Sequence, residues 1–446
     1  MKKINYTSLF VLASISLFVG CKPELKVPTP SKGSIDPTRY VAVGNSITSG
    51  FADGALYYEG QLVAYPNLIA QQFKLVGGGT FNQPLMPAGS IGVGSTGNAP
   101  FKLGYSTDCL GVTSLGPIPS ATVGDVAALS VNIYTPQAPF NNMGVPGTKA
   151  INVDSVGYAA RNPFFARMAS NPSSASILSD AIAINPTFFS LFIGNNDVLL
   201  YATNGGASDT ISSQSDFAAG INNAVNKLTA GGAKGVIGNI PDITALPYFT
   251  TIPWNGLTLT RQTQVDSLNA YWADFSVTPP KPLYNFVLGN NGFLVTDNDV
   301  PYTHKRLIKE GEFILLSVPL NSLKCQNLGS LTAIPDKYVL TAAEISKIEA
   351  AISGYNATIK AAADAKGLAF VDVNAFLNKT KTGFVYDGIT LNAAFVTGGA
   401  FSLDGIHLTP LGNALLANEF IKAVNAQFGA SIPQLDATKY RGVVFP

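Results

Sequence analysis

Short apolar runs alternate with helix-patterned segments along most of this chain, and that alternation restricts the folds open to it. The runs "RYVAVG" (39–44), "PTFFSLFIG" (186–194), "AKGVIGNIPD" (233–242) and "LAFVDV" (368–373) are rich in β-branched and aromatic residues. An apolar residue at nearly every position, rather than every second one, marks a strand covered on both faces. Between the runs the spacing changes. "QLVAYPNLIAQQF" (61–73) has helical apolar spacing with Pro66 near its start, and Phe217, Ile221, Val225 and Leu228 mark one helical face that Gly231-Gly232 can stop. Thr341 with Glu344 forms a capping box before Ile345, Ile348, Ile352, Tyr355 and Ile359, and Gly367 closes that helix. Thr409-Pro410 is an N-cap followed by the favoured first helical residue, ahead of Leu411, Leu415, Leu416, Phe420 and Val424. Strands alternating with helices predict an α/β fold: a parallel sheet with helices on both faces.

Two segments break the rhythm. Residues 78–138 are rich in Gly, Pro, Ser and Thr, and residues 250–338 contain "TPPKP", aromatic residues and a basic run around His304. Structureless connections longer than about 15 residues are uncommon. Both segments read as insertions at the edge of one core, which places a single domain over 38–432 and a C-terminal tail over 433–446. No internal repeat is evident.

The N-terminus has its own grammar. Lys2 and Lys3 precede an apolar run from Ser8 to Gly20, and Cys21 follows at once. A charged start, a short apolar stretch and small residues at the end describe a signal peptide over 1–20, too short to span a bilayer. "LFVGC" resembles a lipobox, so Cys21 is the expected lipid-attachment site and mature N-terminus. The following "KPELKVPTPSKGS" reads as an extended tether over 21–37. The protein is expected to be exported, anchored by lipid to the cell envelope, and monomeric.

Charge and rare residues exclude other classes. The chain has 28 basic and 27 acidic residues. Losing Lys2 and Lys3 with the signal leaves one more acid than base, so no electrostatic footprint for nucleic acid remains. Apart from Cys21 only Cys109 and Cys325 occur, and in an oxidising compartment they could pair or stay apart. The two histidines, His304 and His407, show no metal-ligand spacing with them. No metal or cofactor is expected.

Four short stretches sit where strands end or helices begin. Ser46 follows the first strand in "VGNSIT"; Gly147 lies in "NNMGVPGTKA" (141–150); Asn196 lies in "GNND" (194–197); Asp404 and His407 lie in "DGIHLTPLG" (404–412). In parallel α/β sheets, ligands bind beyond the carboxyl ends of the strands. A serine hydroxyl needs a base to become a nucleophile, histidine is suited to accept and return a proton near neutrality, and an aspartate three positions away can orient it.

The four stretches, in this order, resemble the blocks of the SGNH, or GDSL-like, hydrolase family. The resemblance implies a flavodoxin-like three-layer α/β/α sandwich and hydrolysis of an acyl ester, carried by a lipid or an acylated glycan. It implies Ser46 as nucleophile, His407 as base and Asp404 as its partner, with an oxyanion hole from the backbone N–H groups of Ser46 and Gly147 and the Asn196 amide. The family usually has aspartate before the nucleophile; here it is Asn45. His304 has no acid at the matching spacing and reads as solvated or structural. "DGIT" (387–390) repeats Asp-Gly-Ile without the base, which assigns Asp387 to turn chemistry. The competing reading is a surface lipoprotein that keeps this fold only to bind a glycan or lipid.

Overall fold

The computed structural model describes residues 29–446. The expected signal peptide, Cys21 and tether residues up to 28 lie outside the described residues. Five parallel strands form the central sheet: β1 (Tyr40–Gly44), β2 (Asn142–Gly144), β3 (Phe188–Phe192), β4 (Lys234–Gly238) and β5 (Ala369–Val371). Their spatial order is β2-β1-β3-β4-β5, every neighbouring pair parallel. This is the flavodoxin-like order, in which chain direction across the sheet reverses beside β1. All residues of β1 and β3 are buried, as their largely apolar sequences predict. Strand β2 is not announced by sequence: Asn-Met-Gly has neither an apolar run nor an alternation, and only its place at the sheet edge makes it a strand.

Long helices cover both faces. Helix α1 (Tyr65–Lys74) packs beside α4 (Pro410–Phe428) on one side, and α2 (Gln214–Thr229) beside α3 (Ala342–Ala365) on the other. The caps read from sequence are present: Thr341 and Glu344 form a reciprocal capping box, and Thr409 Oγ1 accepts the Gly412 N–H at the start of α4. Tyr355 of α3 stacks on Phe217 of α2 with ring centroids 3.9 Å apart, and Ile348, Ile352 and Ile359 are buried along the same face. Each such side chain contributes about 1.5–3 kcal/mol of burial. The stretch 61–73 is not one helix. Tyr58–Leu62 forms a short helix and α1 starts afresh at Tyr65, with Pro66 in its first turn, where the missing N–H leaves no bond unmade.

The two expected insertions are structured. The first carries a hairpin, Phe101–Thr107 paired with Thr113–Pro119. The second carries two small apolar clusters, one around Leu268, Phe286 and Leu294, the other around Val295, Ile314 and Ile334. Cys109 at the hairpin tip and Cys325 in the second insertion form a disulfide across 216 residues of sequence. Asp108 and Lys324 pair beside it at 2.8 Å. The stretch read as tether is held in place over 29–36. Ser31 and Ser431 exchange backbone hydrogen bonds, Ser34 N–H donates to the Phe428 carbonyl, and Ile35 enters the main core.

Candidate active site

The end of β1 places Ser46. A Cβ on Gly44 would lie 2.0 Å from Thr48 Oγ1 and 2.5 Å from the Phe192 carbonyl, so only glycine lets the chain turn so tightly off the strand. Asn45 then caps a single helical turn, Ser46–Ser49, its side-chain oxygen accepting the Ile47 N–H at 3.1 Å. The neutral amide therefore performs the turn function at this position without an acid's charge. Gly44 lies opposite Gly144 of β2 and Phe192 of β3, so these three strands end level. The loops carrying Gly147 and Asn196 consequently flank the one carrying Ser46. They are laced to each other: Asn196 Nδ2 donates to the Thr148 carbonyl at 3.0 Å, and Ala150 N–H donates to Asp197 Oδ2 at 2.8 Å. Gly147 has φ +78°, and a Cβ there would meet only Asn162 Nδ2, at 4.0 Å. The backbone N–H groups of Ser46 and Gly147 have no acceptor among the described residues.

The fourth stretch closes the site from the far end of the chain. His407 Nε2 lies 2.8 Å from Ser46 Oγ, and His407 Nδ1 lies 2.7 Å from Asp404 Oδ2. Residues 402–407 fold on themselves: Asp404 Oδ1 accepts the N–H groups of Ile406 and His407, and Ser402 N–H donates to the His407 carbonyl. Burial opposes a charge on Asp404. The charge and hydrogen bond of His407 and the two backbone N–H groups outweigh it, holding the carboxyl well below the usual carboxylate range. An ionised Asp404 can only accept, so Nδ1 carries a ring proton, and whenever the ring is neutral its Nε2 is left to accept from the Ser46 hydroxyl. Ser46 is 7% exposed, enough to be reached but not bathed.

Strand order, the tight turn into Ser46 and the four converging stretches coincide. The fold is SGNH-hydrolase-like. No protein-family model matches the chain, and no curated protein matches it. Solved structures that resemble it include LAE5, an alpha/beta hydrolase enzyme from the metagenome of Lake Arreo, Spain, at 11% identity and TM-score 0.36, covering 88% of this chain and 97% of that one. The lipase/acylhydrolase from Enterococcus faecalis follows at 12% identity and TM-score 0.32, covering 89% and 98%. An extracellular lipase from Streptomyces rimosus follows at 13% and 0.30, covering 87% and 99%. At identities and scores this low, the chemistry of this chain rests on its own side chains.

Several site contacts carry no signal in the sequence. Gly54 N–H donates to Asp404 Oδ2 at 2.8 Å from 350 positions away, and the Phe51 ring lies 4.8 Å from the His407 ring. Ser402 Oγ donates to Asp404 Oδ1 at 3.1 Å, and a serine two residues before the acid is the one partner local spacing could have suggested. Asp53 sits behind the loop. Burial pushes its carboxyl up, against hydrogen bonds from Leu403 N–H and Tyr57 Oη, while the charge of Asp404 adds to the rise. His304 stands in an exposed turn of the second insertion at φ +48°, and Asp387 in an exposed hairpin turn; neither joins the site. Beside His407 opens a cavity of about 460 Å³, walled by both insertions. Among the described residues no cluster of His, Cys, Asp or Glu is arranged to hold a metal ion.

Proposed function

We propose that this chain is a serine ester hydrolase working through an acyl-enzyme on Ser46. The supporting observation is the continuous hydrogen-bonded series from Asp404 through His407 to Ser46 at the carboxyl edge of the sheet. His407 Nε2 takes the hydroxyl proton as Ser46 Oγ bonds to the ester carbonyl carbon, and the carbonyl π pair moves onto oxygen. The tetrahedral oxyanion is met by the N–H groups of Ser46 and Gly147 and by the second amide hydrogen of Asn196. Its collapse breaks the bond to the alcohol oxygen, which leaves with the proton now on Nε2. Water then repeats the sequence on the acyl-enzyme, releasing the acid and restoring Ser46. Asp404 stays ionised throughout, holding Nδ1–H and balancing the imidazolium.

A phosphonate ester should label Ser46 and abolish hydrolysis of aryl esters. Full activity in Ser46→Ala, with labelling elsewhere, would remove the reading. Asn196→Ala should lower kcat about 10²–10³-fold with little change in KM. A lowered melting temperature with normal turnover would instead make Asn196 a turn residue.

The N-terminal pattern supports export and a lipid on Cys21, and a disulfide between Cys109 and Cys325 suits an oxidising compartment. Mass analysis of the mature N-terminus should find lipidated Cys21; an unmodified residue there would leave an exported enzyme without an anchor.

A further inference from the structure

We propose that the cavity beside His407 receives the alcohol part of the ester, so that this protein selects esters of apolar alcohols; this rests on the serine-hydrolase reading above. The cavity encloses about 460 Å³, within the range of about 300–1,000 Å³ typical of small-molecule sites. Its walls include the apolar Phe51, Phe101, Pro117, Leu316, Leu320 and Phe395; its polar side chains are His407, Asp404, Ser317 and Tyr248, whose hydroxyl donates to the Thr203 carbonyl. The only carboxylate among them, Asp404, is already committed to His407 and Gly54. A hydroxyl-rich glycan would leave most of its polar groups unpaired there, at a cost that an alkyl or aryl group does not incur.

The placement of the cavity decides which half of the ester it takes. His407 lines it, whereas Ser46, Gly147 and Asn196 do not. During acylation the carbonyl oxygen must face the oxyanion donors, and the leaving oxygen must face His407 Nε2 to receive its proton. The acyl and alkoxy groups diverge from the carbonyl carbon, so the one lying against the His407 ring is the alkoxy group. Both insertions are needed for its walls: Phe101 and Pro117 come from the first, Leu316 and Leu320 from the second. The Cys109–Cys325 disulfide and the Asp108–Lys324 pair tie those insertions together, so the slot is formed before substrate arrives.

Two ester series measured by acid release test this. Alkyl acetates from ethyl to octyl vary the alcohol at nearly constant leaving-group basicity; ethyl esters from acetate to octanoate vary the acyl chain. For the wild type, kcat/KM should rise about fourfold per methylene in the alcohol series until the slot is full, equivalent to about 0.8 kcal/mol each, and should stay nearly flat in the acyl series. Phe101→Asp and Leu320→Asp, one from each insertion, should each flatten the alcohol series. Leu320 is 49% exposed, so a charge there can be solvated without unfolding the protein. A flat alcohol series, a steep acyl series, or a steep alcohol series that survives both substitutions would overturn the inference while Ser46-dependent hydrolysis of ethyl acetate leaves the proposed function standing. If the wild type hydrolyses no member of either series, the proposed function fails and the inference with it.

Discussion

Asp387-Gly388-Ile389 and Asp404-Gly405-Ile406 are the same tripeptide in two surroundings. The first is the two-residue turn of a hairpin, Phe384–Tyr386 paired with Ile389–Leu391; Asp387 and Gly388 have φ +47° and +84°. Two positive φ values in a two-residue loop match the twist of the strands they join, and Asp-Gly is a preferred pair for it. The turn is exposed and ends on Thr390. The second tripeptide also turns the chain, with Gly405 at φ +72°, but it is enclosed. Tyr248 N–H donates to the Gly405 carbonyl, Gly54 N–H reaches Asp404 from the other end of the chain, and the fourth residue is His407 facing Ser46. A cheap turn comes to hold a histidine against a serine only when distant elements close around it.

The largest separation between the two loops should appear at their fourth residue. His407→Ala is expected to reduce kcat on the order of 10⁶-fold, as loss of a base from a coupled triad does. Adding Thr390→His to that variant should restore nothing, since the exposed hairpin has no serine to activate. Any rescue measured on an aryl ester would break the distinction.

Next come the aspartates. Asp404→Asn should lower kcat about 10⁴-fold, because an amide cannot hold the required tautomer, whereas Asp387→Asn should leave kcat within about twofold. Stability should separate them as well. The Asp404 carboxyl is depressed in the folded state, so the stability it supplies is present above its unfolded value of about 3.9 and is lost as pH falls through the folded value. Urea melts should therefore show Asp404→Asn less stable than the parent at about pH 6, with the gap narrowing below about pH 4. A gap that widens on acidification would contradict the low carboxyl value.

The glycines should differ least. Alanine at either position meets left-handed strain of about 1–2 kcal/mol. At Gly388 a Cβ finds no atom within 4 Å, whereas at Gly405 it would lie 2.9 Å from the Tyr248 backbone nitrogen. Gly405→Ala should therefore lose about 1–3 kcal/mol more than Gly388→Ala in the same melts, the usual cost of overpacking. Equal losses would mean that the Tyr248 segment does not brace the Asp404–His407 loop.

What the sequence determined by itself is what interactions within a few residues can decide. The four strands at 39–44, 186–194, 233–242 and 368–373 show in their apolar runs. The caps at Thr341 and Thr409 show in their spacing, and the Asp404–His407 pair shows in a separation one turn can deliver. Each depends on a local periodicity or a side-chain-to-backbone bond that forms without the rest of the chain. The tertiary structure decided everything that depends on closing a long loop. It made Asn142–Gly144 a strand by supplying an edge for it, broke the 61–73 helix, and paired Cys109 with Cys325 across 216 residues. It brought His407 to Ser46 across 361 positions and placed apolar walls from two insertions against the histidine ring. A long loop costs only slightly more entropy to close than a shorter one, so chain separation does not forbid these contacts. Nor does it specify them: the partner is chosen by the packing of the whole core, and no local pattern in the sequence encodes that choice.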